Sequence, residues 1–341
     1  GGQHTIVTRN IWVKNSTMST LTDTNNACDF HGNSQFYYIT DNKINGGVLI
    51  RGADGSVTNN EFVSTTQTGN PVFYFAELKS INHTISNNRV IYKGNVVDGS
   101  RGYIFDCSGN SSELDANTDV DGTLLISGNK IIVQASTGSN SNFMEIANRG
   151  STADNKIVIQ DNYFEVNTND IGGGRIYHVS GTPFSLVYEK NNTFINVSLR
   201  VEGISGSELP DVKFLSGTTY KGGTGSQLTV LYADRVIITG QSFTDSPENS
   251  IYLDIRDVLQ TTAEVYMSNL TVLDYLVDGA TGVANTDSGI FVNQAKTVQI
   301  NASTIGTDNA AQQYRYRITN VNTFVVGNNY TFGSGTNSTS G

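Results

Sequence analysis

Ile126-Ser127-Gly128-Asn129-Lys130-Ile131 and Ile159-Gln160-Asp161-Asn162-Tyr163-Phe164 are one phrase written twice. Apolar residues alternate with polar ones, a turn residue and an Asn interrupt them, and the apolar phase then resumes. Alternation with period two describes a strand that buries one face, and Asn, Gly and Asp let a chain turn sharply. Upstream the phrase returns as Ile85-Ser86-Asn87-Asn88-Arg89-Val90, Asn59-Asn60-Glu61-Phe62 and Tyr38-Ile39-Thr40-Asp41-Asn42-Lys43-Ile44. Downstream it is Asn191-Asn192-Thr193-Phe194, then weaker at Thr218-Thr219-Tyr220, Gln241-Ser242-Phe243, Ser268-Asn269-Leu270 and Ser303-Thr304-Ile305, and clear again at Asn328-Asn329-Tyr330. Anchored at residues 42, 60, 88, 129, 162, 192, 218, 241, 268, 303 and 328, the units average 28.6 residues. Their lengths run from 18 to 41, so this is one structural unit with elastic loops.

A second strand precedes the phrase in many units, at 72–76, 103–107, 199–202, 228–231, 251–255 and 290–292. Strands this short and this close leave no room for crossover helices. If successive units stack, equivalent strands pair in parallel, about 4.8 Å apart. The expected fold is therefore all-β: a single-stranded right-handed parallel β-helix of about twelve coils, a rod of roughly 55–60 Å. Asn at the same turn of successive coils can form an amide ladder. The competing fold is a large β-sandwich, whose hairpins favour Asn-Gly turns. Asn45-Gly46 is one of the few such steps here.

One domain is expected over 1–332, with 333–341 a flexible exit. Neither end shows an amphipathic helix to serve as a lid, which suggests the middle of a longer protein or part of an oligomer. Cys28 and Cys107 would sit three coils apart, roughly 14 Å, too far for a disulfide.

The composition fits this architecture. The 341 residues hold 38 Asn and 35 Gly, both poor in helices, while 15 Phe and 16 Tyr supply a core that a disordered chain lacks. A net charge of −10 opposes nucleic acid as a partner, and no apolar run is long enough to cross a membrane. The chain opens Gly1-Gly2-Gln3-His4, without Met or an apolar leader, which reads as a fragment or a processed chain. Between 197 and 266 only Asn249 remains, so the ladder is expected to break there while the solenoid continues.

No nucleophile elbow, zinc motif or phosphate loop is present, and there are only four His. The best constellation uses the first strand of each coil. Outward-phase acids recur there at Glu77, Asp106, Glu145, Glu202 and Asp254, with His178 in the same column. Asp106 and Glu145, on neighbouring coils about 5 Å apart, would suit a retaining glycosidase pair. Glu145 and Glu202, two coils apart at about 10 Å, lie near the upper limit for an inverting pair. Any acidic sheet shows such columns, so a plain solvated face is the alternative. Tyr74, Tyr177, Tyr252 and Phe291 fall on or near the same outward phase and suit sugar rings or a subunit interface equally. No cofactor is expected. The one metal candidate is a structural calcium at Asp115, Asn117, Asp119 and Asp121, oxygen ligands at alternate positions before Gly122, although the closing Glu of a calcium loop is missing.

Asn285-Thr286-Asp287-Ser288-Gly289-Ile290 resembles a polygalacturonase stretch but lacks the Asp-Asp pair and the His that should follow, and it reads as a turn. From about Ile6 to Phe332 the pattern resembles the β-helical body of bacteriophage tailspikes, within the wider pectate-lyase-like right-handed β-helices: irregular coils, Asn/Gly/Thr/Ser-rich turns, low Lys, acidic balance and no lid. The resemblance implies a receptor-binding homotrimer of the virion tail, or an extracellular protein, that binds a bacterial surface polysaccharide. Many members cleave it as endoglycosidases or lyases through carboxylates. No residue carries over by motif. A non-enzymatic β-helical adhesin or structural fibre, and a secreted polysaccharide lyase, are the alternatives.

Overall fold

The computed structural model describes residues 8–19, 27–30, 34–50, 54–64, 71–75, 82–93, 103–107, 122–134, 142–148, 155–167, 172–178, 183–223, 225–257, 261–274, 288–307, 314–333 and 336–340. Every helix or strand among them is a strand, in one sheet of 22 strands and one of 12. Strands do not pair with their neighbours in the chain. Thr123–Ser127 pairs in parallel with His83–Ser86 on one side and Lys156–Gln160 on the other, each one coil away. Lys130–Val133 lies between Arg89–Tyr92 and Tyr163–Val166 in the same way. Phe105–Cys107 lies between Phe73–Phe75 and Asn142–Asn148. The chain is a right-handed parallel β-helix with three strands per coil. We call the faces first (such as Asn142–Asn148), second (Thr123–Ser127) and third (Lys130–Val133). The third face is the 12-stranded sheet, with one strand per coil.

The core is continuous along the axis. On the third face Phe164, Phe194, Tyr220 and Phe243 stack coil on coil, with centroids 5.2, 4.8 and 4.9 Å apart. Each such fully buried ring contributes roughly 1.5–3 kcal/mol by area, so the stack is a main source of cohesion between coils. Cys28 and Cys107 lie three coils apart and share no disulfide.

The repeated phrase has a backbone cause. The residue before each anchor is left-handed: φ is 57° at Asp41, 57° at Asn59, 54° at Asn87, 66° at Gly128, 58° at Asp161 and 53° at Asn191. Asn, Asp and Gly adopt that conformation most readily, although Ala302, before the anchor Ser303, takes it too at 48°. The second residue of each doublet turns inward, where Asn42, Asn60, Asn88, Asn129, Asn162 and Asn192 are all buried. At Asn129 the backbone N–H and Nδ2 both donate to Asn162 Oδ1, at 2.9 and 3.0 Å, and Nδ2 also donates to the Ile85 carbonyl at 2.8 Å. The ladder begins one coil earlier than the sequence shows, with Ser16 N–H donating to Asn42 Oδ1. Near the far end two anchors shift. Leu270, not Ser268, and Asn329, not Asn328, hold the ladder position, because Asn269 and Asn328 take the left-handed turn.

The ladder ends at Asn192, whose N–H donates to the Thr218 hydroxyl. Here the structure adds something the sequence reading lacks. Glu189 follows Ile159 and precedes Phe214 in an otherwise apolar inward column, and it is fully buried. Its carboxylate accepts from Asn192 Nδ2, from Thr218 Oγ1 at 2.5 Å and from Gln241 Nε2 at 3.0 Å. One carboxylate thus gathers the side chains of three coils where consecutive Asn runs out.

Two expectations change. Residues 333–341 were expected to be a flexible exit, yet Thr336–Ser340 pairs in parallel with Tyr314–Gly327. Ser288, Gly289 and Ile290, read as a turn, open the strand Ser288–Asn301. Parallel pairing gives these residues backbone partners on the preceding coil that local turn chemistry does not reveal.

Candidate functional site on the first face

Strand register splits the expected acidic column in two. Asp106 and Glu145 are lateral partners, and the same column continues through Arg175, Arg200, Thr229, Tyr252, Phe291 and Arg317. Tyr74 precedes Asp106 in it. Glu202 and Asp254 belong to a second column two residues further along, shared with Ala147, Tyr177, Leu231 and Asn293. His178 pairs with Asn148, one residue beyond Tyr177, and so stands in neither column. The single column was an error of register: a shift of two residues keeps side chains on the same face and leaves the apolar alternation unchanged. Glu77 and the calcium candidates Asp115, Asn117, Asp119 and Asp121 lie outside the described residues. Among the described residues no cluster of three or more His, Cys, Asp or Glu could hold a metal.

The four carboxylates differ in access. Asp106 is 0% and Glu145 5% exposed. Tyr177 donates its hydroxyl to Glu145 Oε1 at 2.5 Å, and Glu145 Oε2 is buried with no hydrogen-bond partner among the described residues. Glu202 is more open and binds two arginines through one oxygen. Arg175 Nε and Nη2 donate to Oε2 at 3.2 and 3.0 Å, and Arg200 Nε at 3.1 Å. The Arg175 guanidinium also lies over the Tyr177 ring, 4.2 Å from its centroid. Asp254 accepts from Arg256 Nε at 2.7 Å and Asn293 Nδ2 at 3.0 Å. Arg256 bonds the Tyr232 hydroxyl as well.

Beside this cluster lies a groove of about 510 Å³, lined by Arg175, Arg200, Ser198, Ser226, Thr229 and the Gly173–Gly174 backbone. Gly173 is required by close approach, since a Cβ there would stand 2.6 Å from the Ser198 carbonyl. The Gly174 N–H donates to that same carbonyl at 2.6 Å, which holds the floor in place. No carboxylate lines the groove among the described residues. The nearest acids are Glu202 and Glu248, the latter bonded to Ser226 Oγ at 3.3 Å. Further along the axis Tyr252 and Phe291 stack at 4.8 Å, and Arg317 lies 5.8 Å from the Phe291 centroid. Burial raises the Tyr252 phenol above its usual range, with Asp254 adding to it and Arg256 and Arg200 opposing. From Arg175 to Arg317 the stripe crosses five strand spacings, about 24 Å.

The arginines were the residues the sequence reading missed. Their signal was an identical offset on two neighbouring first-face strands, Gly174-Arg175-Ile176 and Leu199-Arg200-Val201. Comparison of the chain with protein-family models, with curated proteins and with solved structures gives no match.

Proposed function

We propose that the chain is a receptor-binding β-helix of the phage tailspike kind, acting on a virion or outside the cell, that recognises a bacterial surface polysaccharide along its first face. The homotrimer and the bacterial glycan belong to this reading through the resemblance of pattern. The observation that carries it is the polar groove at Arg175, Arg200 and Thr229, in an outward column that continues on the next strands as Tyr252 and Phe291. A linear track of hydrogen-bond donors, continued by the half-buried Tyr252 beside a Phe291 that is itself buried, suits a polymer of sugar rings. Thr229→Trp fills the groove without touching the core. It is expected to weaken binding to a cognate capsule or O-antigen at least tenfold, read by affinity electrophoresis, with an unchanged unfolding midpoint. Unchanged binding would place recognition elsewhere.

Hydrolysis is the second reading, and the lateral pair Asp106 and Glu145 favours it. Its obstacle is access, since both are closed to solvent while the more open Glu202 has Oε2 engaged by three N–H donors. Removing one member of a catalytic carboxyl pair costs a proton-transfer or nucleophilic step, on the order of 10²-fold or more. If the protein hydrolyses the polymer through this pair, Asp106→Asn or Glu145→Gln is expected to cut the release of new reducing ends on the order of 10²-fold or more while binding persists. If wild type and both variants release none, it is a binder.

A further inference from the structure

We infer that the glycan taken by this groove is anionic, a uronate-bearing polymer whose carboxylate is received by the guanidiniums of Arg175 and Arg200. The inference rests on the glycan reading above and narrows it to a substrate class.

The chain carries 31 acidic against 21 basic residues, so cations are the minority charge. Two of them nevertheless stand on neighbouring strands in direct lateral register. Like charges placed this way repel and destabilise a sheet. Glu202 binds both of them, and Glu145, in register on the other side of Arg175, is closed to solvent; the solvent-facing trio of Arg175, Arg200 and Glu202 carries a net +1 beside a groove that no carboxylate lines among the described residues.

Hydrogen-bond capacity leads to the same place. A guanidinium has five N–H donors. Among the described residues all hydrogen bonds of this pair go to Glu202 Oε2: from Arg175 Nε and Nη2 and from Arg200 Nε. The Arg175 Nη1 group and both Nη groups of Arg200 remain to meet a ligand. The Arg175 fork already holds one carboxylate oxygen, Glu202 Oε2, and the free Nη groups of Arg200 are placed to receive the carboxylate of a ligand. The Tyr177 ring under Arg175 fixes the plane of that fork in advance, which lowers the ordering cost of binding. Thr229 adds a hydroxyl that can donate to a sugar oxygen, while Ser226, which donates to Glu248, can accept from a sugar hydroxyl.

The test uses defined probes: hexasaccharides of polygalacturonate, alginate and hyaluronan, each alongside its carboxyl-reduced, neutral counterpart, titrated by calorimetry at low and moderate salt. At least one acidic hexasaccharide is expected to bind tenfold or more tighter than its reduced form, and to weaken as salt rises. Arg200→Gln is expected to lose that tenfold, with Arg200→Lys between the two, since Lys keeps the charge without the fork. Arg200 is solvent-facing, so both variants are expected to keep the wild-type unfolding midpoint. If a reduced hexasaccharide binds as well as its acidic parent, or if Arg200→Gln leaves acidic binding intact, the anionic inference falls while the glycan reading stands. If no hexasaccharide of either kind binds, the uronate inference falls, and binding to capsule or O-antigen in affinity electrophoresis decides the glycan reading separately.

Discussion

Asn162→Ala is expected to destabilise the protein by about 4 kcal/mol, well beyond the usual ~1 kcal/mol of a polar-to-alanine change. The Asn162 side chain is an interior rung of the ladder, with Asn129 before it and Asn192 after it. It accepts the Asn129 N–H at 2.9 Å and Asn129 Nδ2 at 3.0 Å. It donates to the carbonyls of Ile126 and Gln160 at 2.9 and 2.8 Å, and to Asn192 Oδ1 at 2.9 Å. Alanine leaves the buried Asn129 N–H without an acceptor and takes a donor from Asn192 Oδ1. Each buried polar group stranded in this way costs roughly 1–3 kcal/mol. Since each coil touches only its neighbours, the damage falls on the interfaces to either side and is not shared along the rod. The structure also supplies the control. Thr218 occupies the same position two coils later, and its hydroxyl accepts the Asn192 N–H at 2.9 Å. Asn162→Thr is therefore expected to cost about half as much. Guanidinium unfolding of the three proteins at one pH decides it. Equal midpoints for the alanine and threonine variants would show that backbone pairing, not the amide rung, holds the turn.

The turn doublets were legible in the sequence because two constraints coincide there. Left-handed backbone selects Asn, Asp or Gly at the first position, and an inward amide selects Asn at the second. Where only one constraint acts, the local pattern leaves the anchor undetermined by one or two residues. At Asn269-Leu270 the turn residue is Asn and the inward residue is apolar, so the anchor was placed at Ser268. At Asn328-Asn329 the first of two identical residues was taken for the second.

The site was less legible for a different reason. Strand phase, inward or outward, follows from alternation, and Asp106, Glu145, Glu202 and Asp254 do lie on the first face. Which outward residues are neighbours depends on register between coils, and the loops between strands vary in length without marking it. Asp106 and Glu145 could be paired because few residues of each strand compete for the position. Glu202 and His178 could not, since shifts of two and one residues change the column and leave the local pattern alone. Glu189 was hidden because a single Glu in Leu186-Val187-Tyr188-Glu189-Lys190 reads as a strand-end charge. Its meaning appears only when Thr218 and Gln241 of the next two coils are brought against it.

Glu189 carries the second large expectation: a stability that falls between pH 5 and pH 8, with the fall removed by Glu189→Gln. The carboxyl is fully buried, and desolvation pushes it up from 4.5 to about 7, against the lowering effect of its hydrogen bonds to Asn192, Thr218 and Gln241. Its surroundings offer little further help. The Tyr220 hydroxyl and Gln241 Oε1 are both buried with no hydrogen-bond partner among the described residues. The Tyr220 phenol is itself raised far above its usual range, mainly by burial and secondarily by the nearby Glu189 charge. A carboxyl whose folded value exceeds its unfolded value binds more protons folded than unfolded, so it favours the folded state in acid. That contribution is complete below about pH 4.5 and is lost as pH rises through about 7. The displacement corresponds to ~3 kcal/mol. Unfolding free energies of wild type and Glu189→Gln, measured from pH 5 to pH 9, isolate the effect, because titrations elsewhere in the chain are common to both proteins. The wild type is expected to lose ~3 kcal/mol more than the variant over that interval. Gln presents a neutral oxygen to Thr218 and Asn192, and the ~3 kcal/mol charge-burial penalty does not arise at any pH. Parallel pH profiles would show that Glu189 stays ionised in the folded core, its charge carried by its three donors.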